Sequence, residues 1–157
     1  MLRHFSELAN TYGAILLIPE FMDYRFARIE HDTSIVQAMI DETAETYQLD
    51  DTGVVLFGFG DGATIATQYA NSYPEQTAHV ITSGGTFLYP PVDDVTYTII
   101  YGVHDQLLNG LTSDYAPFAD LTEWKTPLNY LMIDSIGHEI NPQQIDITKQ
   151  MLLDIYQ

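Results

Sequence analysis

Three places in this sequence hold residues of the kinds that acyl-transfer chemistry uses. Gly58, Gly60 and Gly62 stand at alternate positions in Val54–Tyr69, VVLFGFGDGATIATQY, between an apolar run and a helix-spaced one. Further on, Asp105 ends Gly102-Val-His-Asp, and His138 follows Gly137. A carboxylate and an imidazole together make a general base: the acid orients the ring and stabilises its charged form, and the ring takes a proton from a nucleophile. In the pattern G-x-S-x-G such a nucleophile sits on a tight strand-to-helix turn, in a strained conformation with small residues two places to either side. Gly58 and Gly62 fill the flanking places, which puts Gly60 where the nucleophile belongs. With Ala63, the same glycines also match the dinucleotide fingerprint G-x-G-x-x-G/A.

The rest of the chain separates the two readings. The dinucleotide fingerprint needs a carboxylate about 20 residues on, at the end of the next strand, to hold a ribose. That strand ends in Thr82-Ser83-Gly84, without one. The nucleophile reading needs an acid after a later strand and a histidine after the last strand, in that order. Asp105 and His138 supply both.

The elements that must position these residues follow from periodicity. Residues 3–11 read as a short helix with Phe5 and Leu8 inward, and residues 14–18 of AILLIPE as a buried strand. Phe21–His31 is irregular. Asp32 or Thr33 caps the next helix, whose apolar stripe is Ile35, Val36, Met39, Ile40 and Tyr47. Val54–Phe57 is a buried parallel strand, and Ile65, Ala66, Tyr69, Ala70 and Tyr73 mark the inner face of the helix that Pro74 ends. Strands follow at Ala78–Ile81, Thr96–Tyr101 and Asn129–Ile133, with a loop at Leu88-Tyr-Pro-Pro and a loop with a short helix over 109–127. Asn141 caps the last helix, with Pro142 at its first position, Gln144 three after the cap, and Ile145, Met151, Leu152 and Ile155 inward. This alternation implies an α/β chain of one domain: an α/β/α sandwich on a mainly parallel sheet of about five strands. Ligand sites in such sheets lie at the carboxyl ends of the strands, where Gly60, Asp105 and His138 all fall.

With these motifs the chain resembles the α/β-hydrolase superfamily, and within it the small serine carboxylesterases and depolymerase-like esterases. Their elbow reads like Leu-x-Gly-Phe-Ser-x-Gly-Gly, their acid like Gly-x-x-Asp, and their base like Gly-His before the last helix. The resemblance runs from about residue 5 to the end. It implies an ester-hydrolase ancestry with Asp105 as the orienting acid, His138 as the base, and the backbone N–H groups of Asp61 and Gly62 facing an oxyanion or anion. Two departures qualify what it implies. Gly60 has no hydroxyl, so His138 has nothing to activate and no acyl-enzyme forms, which makes a pseudo-enzyme the expectation. The resemblance also implies strands ahead of the first helix, one of them lying between the strand at 14–18 and that at 54–57; without it the two pair directly or the sheet has a gap. A truncated α/β-hydrolase fold is therefore expected, with a pocket for a small ester-like or anionic ligand, or else an interaction module that uses its acidic surface or a sheet edge for self-association or a partner chain.

Composition narrows the partners. The 157 residues carry a formal net charge of −17 with five Lys and Arg, which excludes nucleic acid and anionic membranes as natural partners. The absence of cysteine removes disulfides and thiolate sites. His31-Asp32 and His104-Asp105 lack a second ligand pair at a metal-site spacing, so neither metal nor cofactor is expected. No apolar stretch after Met1 suits a signal peptide, giving a cytoplasmic expectation.

Overall fold

The structure is a computed structural model that describes residues 2–20, 29–85, 91–105, 128–134 and 136–156. Helix α1 spans Leu2–Tyr12, α2 Ile29–Thr46, strand β1 Val54–Phe59, α3 Asp61–Ser72, β2 Thr77–Ser83, β3 Thr96–Gly102, β4 Leu128–Ile133 and α4 Pro142–Ile155, with a short 3-10 turn at Pro74–Gln76. The four strands form one sheet in the order β1-β2-β3-β4, and each neighbouring pair is parallel. Pro74 lies just past the end of α3, as expected of a residue that cannot continue a helix.

Alternation along the strands divides the core between two faces. On one, Val80, Val95 and Tyr97 meet Ala66 and Ala70 of α3, with Leu56, Val92 and Leu128 packed at the margin. On the other, Val55, Phe57, Ile81, Ile100 and Ile133 meet Ile136 and the Ile147, Met151, Leu152 and Ile155 face of α4. Helix α1 joins this second layer: the Phe5 and Phe57 rings lie 5.4 Å apart, and Tyr12 stacks on Tyr156 at 6.4 Å. Helix α2 packs against α3. A polar latch fixes that packing. The fully buried Tyr69 hydroxyl donates to Gln37 Oε1 at 2.6 Å, and Gln37 Nε2 donates to Asp41 and to Gln76. Burial, first of all, pushes the Tyr69 phenol up to about 12.

Several expectations are corrected. Residues 14–20 form no strand, and Ile15, Leu16 and Ile18 are exposed by 44%, 41% and 47%. A strand needs a neighbour for its backbone groups, and β1, the obvious candidate, pairs among the described residues only with β2. The sheet accordingly has four strands among the described residues rather than about five, with β1 at an edge. Helix α2 already includes Ile29, so Asp32 and Thr33 lie inside it rather than at its cap; both are buried, and Asp32 Oδ2 has no hydrogen-bond partner among the described residues. Tyr47 follows the helix and is 57% exposed. The inner face of α4 includes two buried polar residues, Gln144 and Thr148, while Ile145 stands outside its apolar cluster. The loop and short helix expected over 109–127 fall outside the described residues. Among those described, no helix is long and apolar enough to cross a membrane.

His79 is buried on the α4 face of β2, its Nε2 2.9 Å from Thr98 Oγ1. Burial holds its pKa below the ordinary 6.5. The unfolded chain therefore takes up a proton near pH 6.5 that the folded chain refuses, and stability from this site is full above that pH and falls as the pH drops below it. Urea titrations of the native protein and His79→Gln should show the destabilisation caused by the substitution shrinking between pH 7.5 and pH 5.5. A pH-independent difference would place the titrating group elsewhere.

The close approach of β1 and α3 gives a second test. A Cβ on Gly58 would stand 2.2 Å from Gly62 O and 2.5 Å from Ala63 N, whereas one on Gly62 meets nothing of the described residues outside its own helix backbone within 4 Å. Of the two flanking glycines, then, only Gly58 is needed for the packing. Gly58→Ala is expected to cost about 1–3 kcal/mol or more, because both colliding groups are backbone. Gly62→Ala should be neutral or stabilising by up to about 1 kcal/mol. Midpoints of urea unfolding at an unchanged slope would measure both.

Candidate active site

The site is built where β1, β2 and β3 end. Gly60 caps α3 with φ 56° and ψ −121°, a conformation that costs a side-chain-bearing residue on the order of 1–3 kcal/mol and glycine little. Its N–H donates to Ser83 O at 3.1 Å, and its carbonyl accepts from Ala63 N and Thr64 N. Asp61 and Gly62 are the first two residues of α3, whose N–H groups have no intrahelical acceptor. The Asp61 side chain is exposed at the positive end of the helix dipole, a favourable place for a carboxylate.

Asp105 follows β3 on a turn pinned to the segment after β4: Val103 N donates to Ile133 O and His104 N to Ile136 O, while Asp105 N closes the turn onto Gly102 O. Gly102 makes this possible. Any Cβ there would lie 2.5 Å from Ile136 O and 2.9 Å from Gly137 O, so only glycine lets residues 136–137 pass the end of β3. That passage delivers His138. Its Nδ1 lies 2.9 Å from Asp105 Oδ2, with the Asp105 side chain 1% and the His138 side chain 28% exposed. A carboxylate can only accept, so Nδ1 carries the hydrogen, and in the neutral ring Nε2 is left as the free acceptor. The direction in which a Cβ on Gly60 would point runs to that atom: Nε2 is 3.5 Å and Cε1 3.8 Å away, and no other heavy atom of the described residues beyond its chain neighbours lies within 4 Å.

The three residues singled out from the sequence thus converge, and so does a segment the sequence reading passed over. Gly84, with φ 60°, backs the pair: a Cβ on it would lie 3.4 Å from both Asp105 Oδ2 and His138 Nδ1, and 3.1 Å from Phe59 Cε2. The Phe59 ring in turn leans on His138 at 5.0 Å. Gly85 is pressed against α3, where a Cβ would collide with Ala63 Cβ at 2.1 Å. The signal for this was two glycines directly after a buried strand. Tyr101, at the end of β3, has its phenol pushed up by burial first and by the Asp105 charge second.

The sequence profile of the phospholipase/carboxylesterase family matches residues 17–152. Among curated protein sequences none is similar enough to match. Solved structures of the same fold are numerous. SOBER1 from Arabidopsis thaliana superposes with a TM-score of 0.64 at 16% identity over 82% of this chain and 65% of its own. Esterase PE8 gives 0.63 at 19% identity over 90% and 68%. MGS-MChE2, an alpha/beta hydrolase enzyme from the sediment metagenome of the Mar Chica lagoon, Morocco, gives 0.68 at 15% identity over 98% and 82%. The chain therefore spans about two thirds of the length of the first two, and at these identities the likeness is one of fold.

Proposed function

We propose, for a chain that belongs to the phospholipase/carboxylesterase family of α/β-hydrolases, that it keeps the acid–base half of an ester-hydrolase site and lacks its nucleophile. The observation that carries this reading is the line from the Gly60 Cβ direction to His138 Nε2, at 3.5 Å, with Asp105 behind the ring at 2.9 Å. A serine hydroxyl placed there would reach hydrogen-bond distance of the base, about 2.6–3.2 Å. Glycine offers no hydroxyl, so no acyl-enzyme forms, and the general base stands opposite an empty place. A small ester-like or anionic ligand would then be the natural occupant, its oxygen taking the Asp61 and Gly62 N–H groups that have no acceptor within α3.

A second reading has its own support. Among the described residues the outer edge of β1 has no partner strand and Ile15, Leu16 and Ile18 are exposed, features that invite self-association or a partner strand. A monomer by light scattering at micromolar concentration would weigh against self-association at that edge.

Hydrolysis of p-nitrophenyl butyrate by the native protein and by Gly60→Ser tests the first reading. The native protein should show no turnover that depends on His138. Gly60→Ser should gain roughly tenfold or more, lost again when His138→Ala is added. The serine variant should also unfold at lower urea, by about 1–3 kcal/mol, because it carries a side chain at φ 56°. Turnover by the native protein that matches Gly60→Ser and needs His138 would overturn the reading.

A further inference from the structure

We infer that the buried pair Ser83–Gln144 is the positioning device that sets His138 opposite Gly60. Ser83 is the last residue of β2 and touches both halves of the site. Its carbonyl accepts the Gly60 N–H at 3.1 Å, and its Oγ accepts Gln144 Nε2 at 2.9 Å. Both residues are buried, at 1% and 3% exposure. The Gln144 carboxamide is used at both ends. Its Oε1 accepts from Asn141 N at 2.9 Å, while Gln144 N donates to Asn141 Oδ1 at 2.9 Å. Asn141 stands three residues after His138. A continuous path of hydrogen bonds and short chain therefore runs from Gly60 through Ser83, Gln144 and Asn141 to His138.

The physical case rests on direction. Elsewhere α4 meets the sheet through Ile147, Met151, Leu152 and Ile155, and apolar contact fixes neither the rotation nor the axial position of a helix closely. A hydrogen bond does both, since it weakens steeply away from linearity. Helix capping alone does not account for the pair. A capping box uses only the side-chain oxygen of its third residue, and glutamate serves there as well as glutamine. The amide N–H that reaches Ser83 is surplus to the cap. Burying it is costly unless it is satisfied, so the pair tolerates one seating of α4 on β2 and penalises the others. That seating carries the His138 loop with it.

The inference rests on reading Gly60, Asp105 and His138 as one site, but its test needs no ester turnover. The chain has no cysteine, so Gly60→Cys introduces a single thiol on the side of Gly60 that faces His138 Nε2. An imidazole at that distance promotes the thiolate, and alkylation by iodoacetamide at pH 6–7 reads the alignment of the two groups. Gly60→Cys should react about tenfold faster than the same variant carrying His138→Ala, the effect of a one-unit fall in thiol pKa. Adding Ser83→Ala or Gln144→Leu should remove most of that advantage, the two together should remove no more than either alone, and Ser83→Thr, which keeps the hydroxyl, should restore it. Urea midpoints measured alongside separate this from stability. If Ser83→Ala, the smaller change, lowers the midpoint but leaves the alkylation rate unaltered, the pair is a structural bond only and the inference is wrong. It is equally wrong if Gly60→Cys shows no acceleration from His138, because the alignment to be positioned would then not exist. Ester hydrolysis by Gly60→Ser can fail without touching either result.

Discussion

The contact between the end of β1 and the first turn of α3 is the constraint from which the rest of the site follows. With 2.2 Å between a Cβ on Gly58 and Gly62 O, the helix starts almost on top of the strand, and Gly85 repeats the condition on the β2 side against Ala63. Two strands and a helix brought this close leave the linking residue one way to turn, and Gly60 turns that way, at φ 56° and ψ −121°. The helix axis, its free N–H groups and the outward direction at Gly60 are set together. A side chain on Gly58 would not merely lower stability; it would move the point at which everything else is aimed.

The second half of the site is fixed by a comparable approach at the opposite side of the sheet. Gly102 lets residues 136–137 cross the end of β3, and the backbone bonds from Val103 and His104 tie that crossing down. Asp105 and His138 therefore meet through main-chain geometry before their side chains bond. Ser83 and Gln144 then relate this half to the elbow. The order of dependence runs from glycines that allow close backbone contact, to backbone hydrogen bonds, to the polar side chains they bring together.

This explains which parts were legible in the sequence. The elbow, Asp105 and His138 each come soon after a strand, and in a parallel sheet all such places lie at one end, so their convergence could be read from order alone. The run at 14–18 was misread because apolar β-forming residues state a preference for burial, while a strand exists only if another strand receives its backbone groups; that partner is not a local property. Asp32 looks like a cap because caps and buried helix positions use the same residue types, and only the presence of Ile29 already within α2 separates them. Gln144 was legible as half of a capping box, but its second bond spans 61 residues to Ser83 and leaves no trace in local pattern. Ser83-Gly84-Gly85 reads correctly as a strand end, and its glycines also record the closeness of α3 and of the Asp105–His138 pair.

Glycine at position 60 bears on what such an arrangement means. In a residue with a side chain, the elbow conformation would itself signal a function able to offset its strain. Glycine enters it freely, so here the conformation reports packing and nothing more. The acid–base pair does not share that indifference. Asp105 is buried to 1% beside a partly open His138, and a carboxylate taken out of water is a poor way to hold a scaffold together. Apolar residues of similar volume commonly serve stability as well or better than a buried polar pair. A fold kept only as a framework has no physical need of Asp105, of a histidine held in one tautomer, or of glycines at 84 and 102 that make room for both. What the pair holds is an imidazole with a fixed direction, and that direction points at Gly60, which has no side chain to receive it.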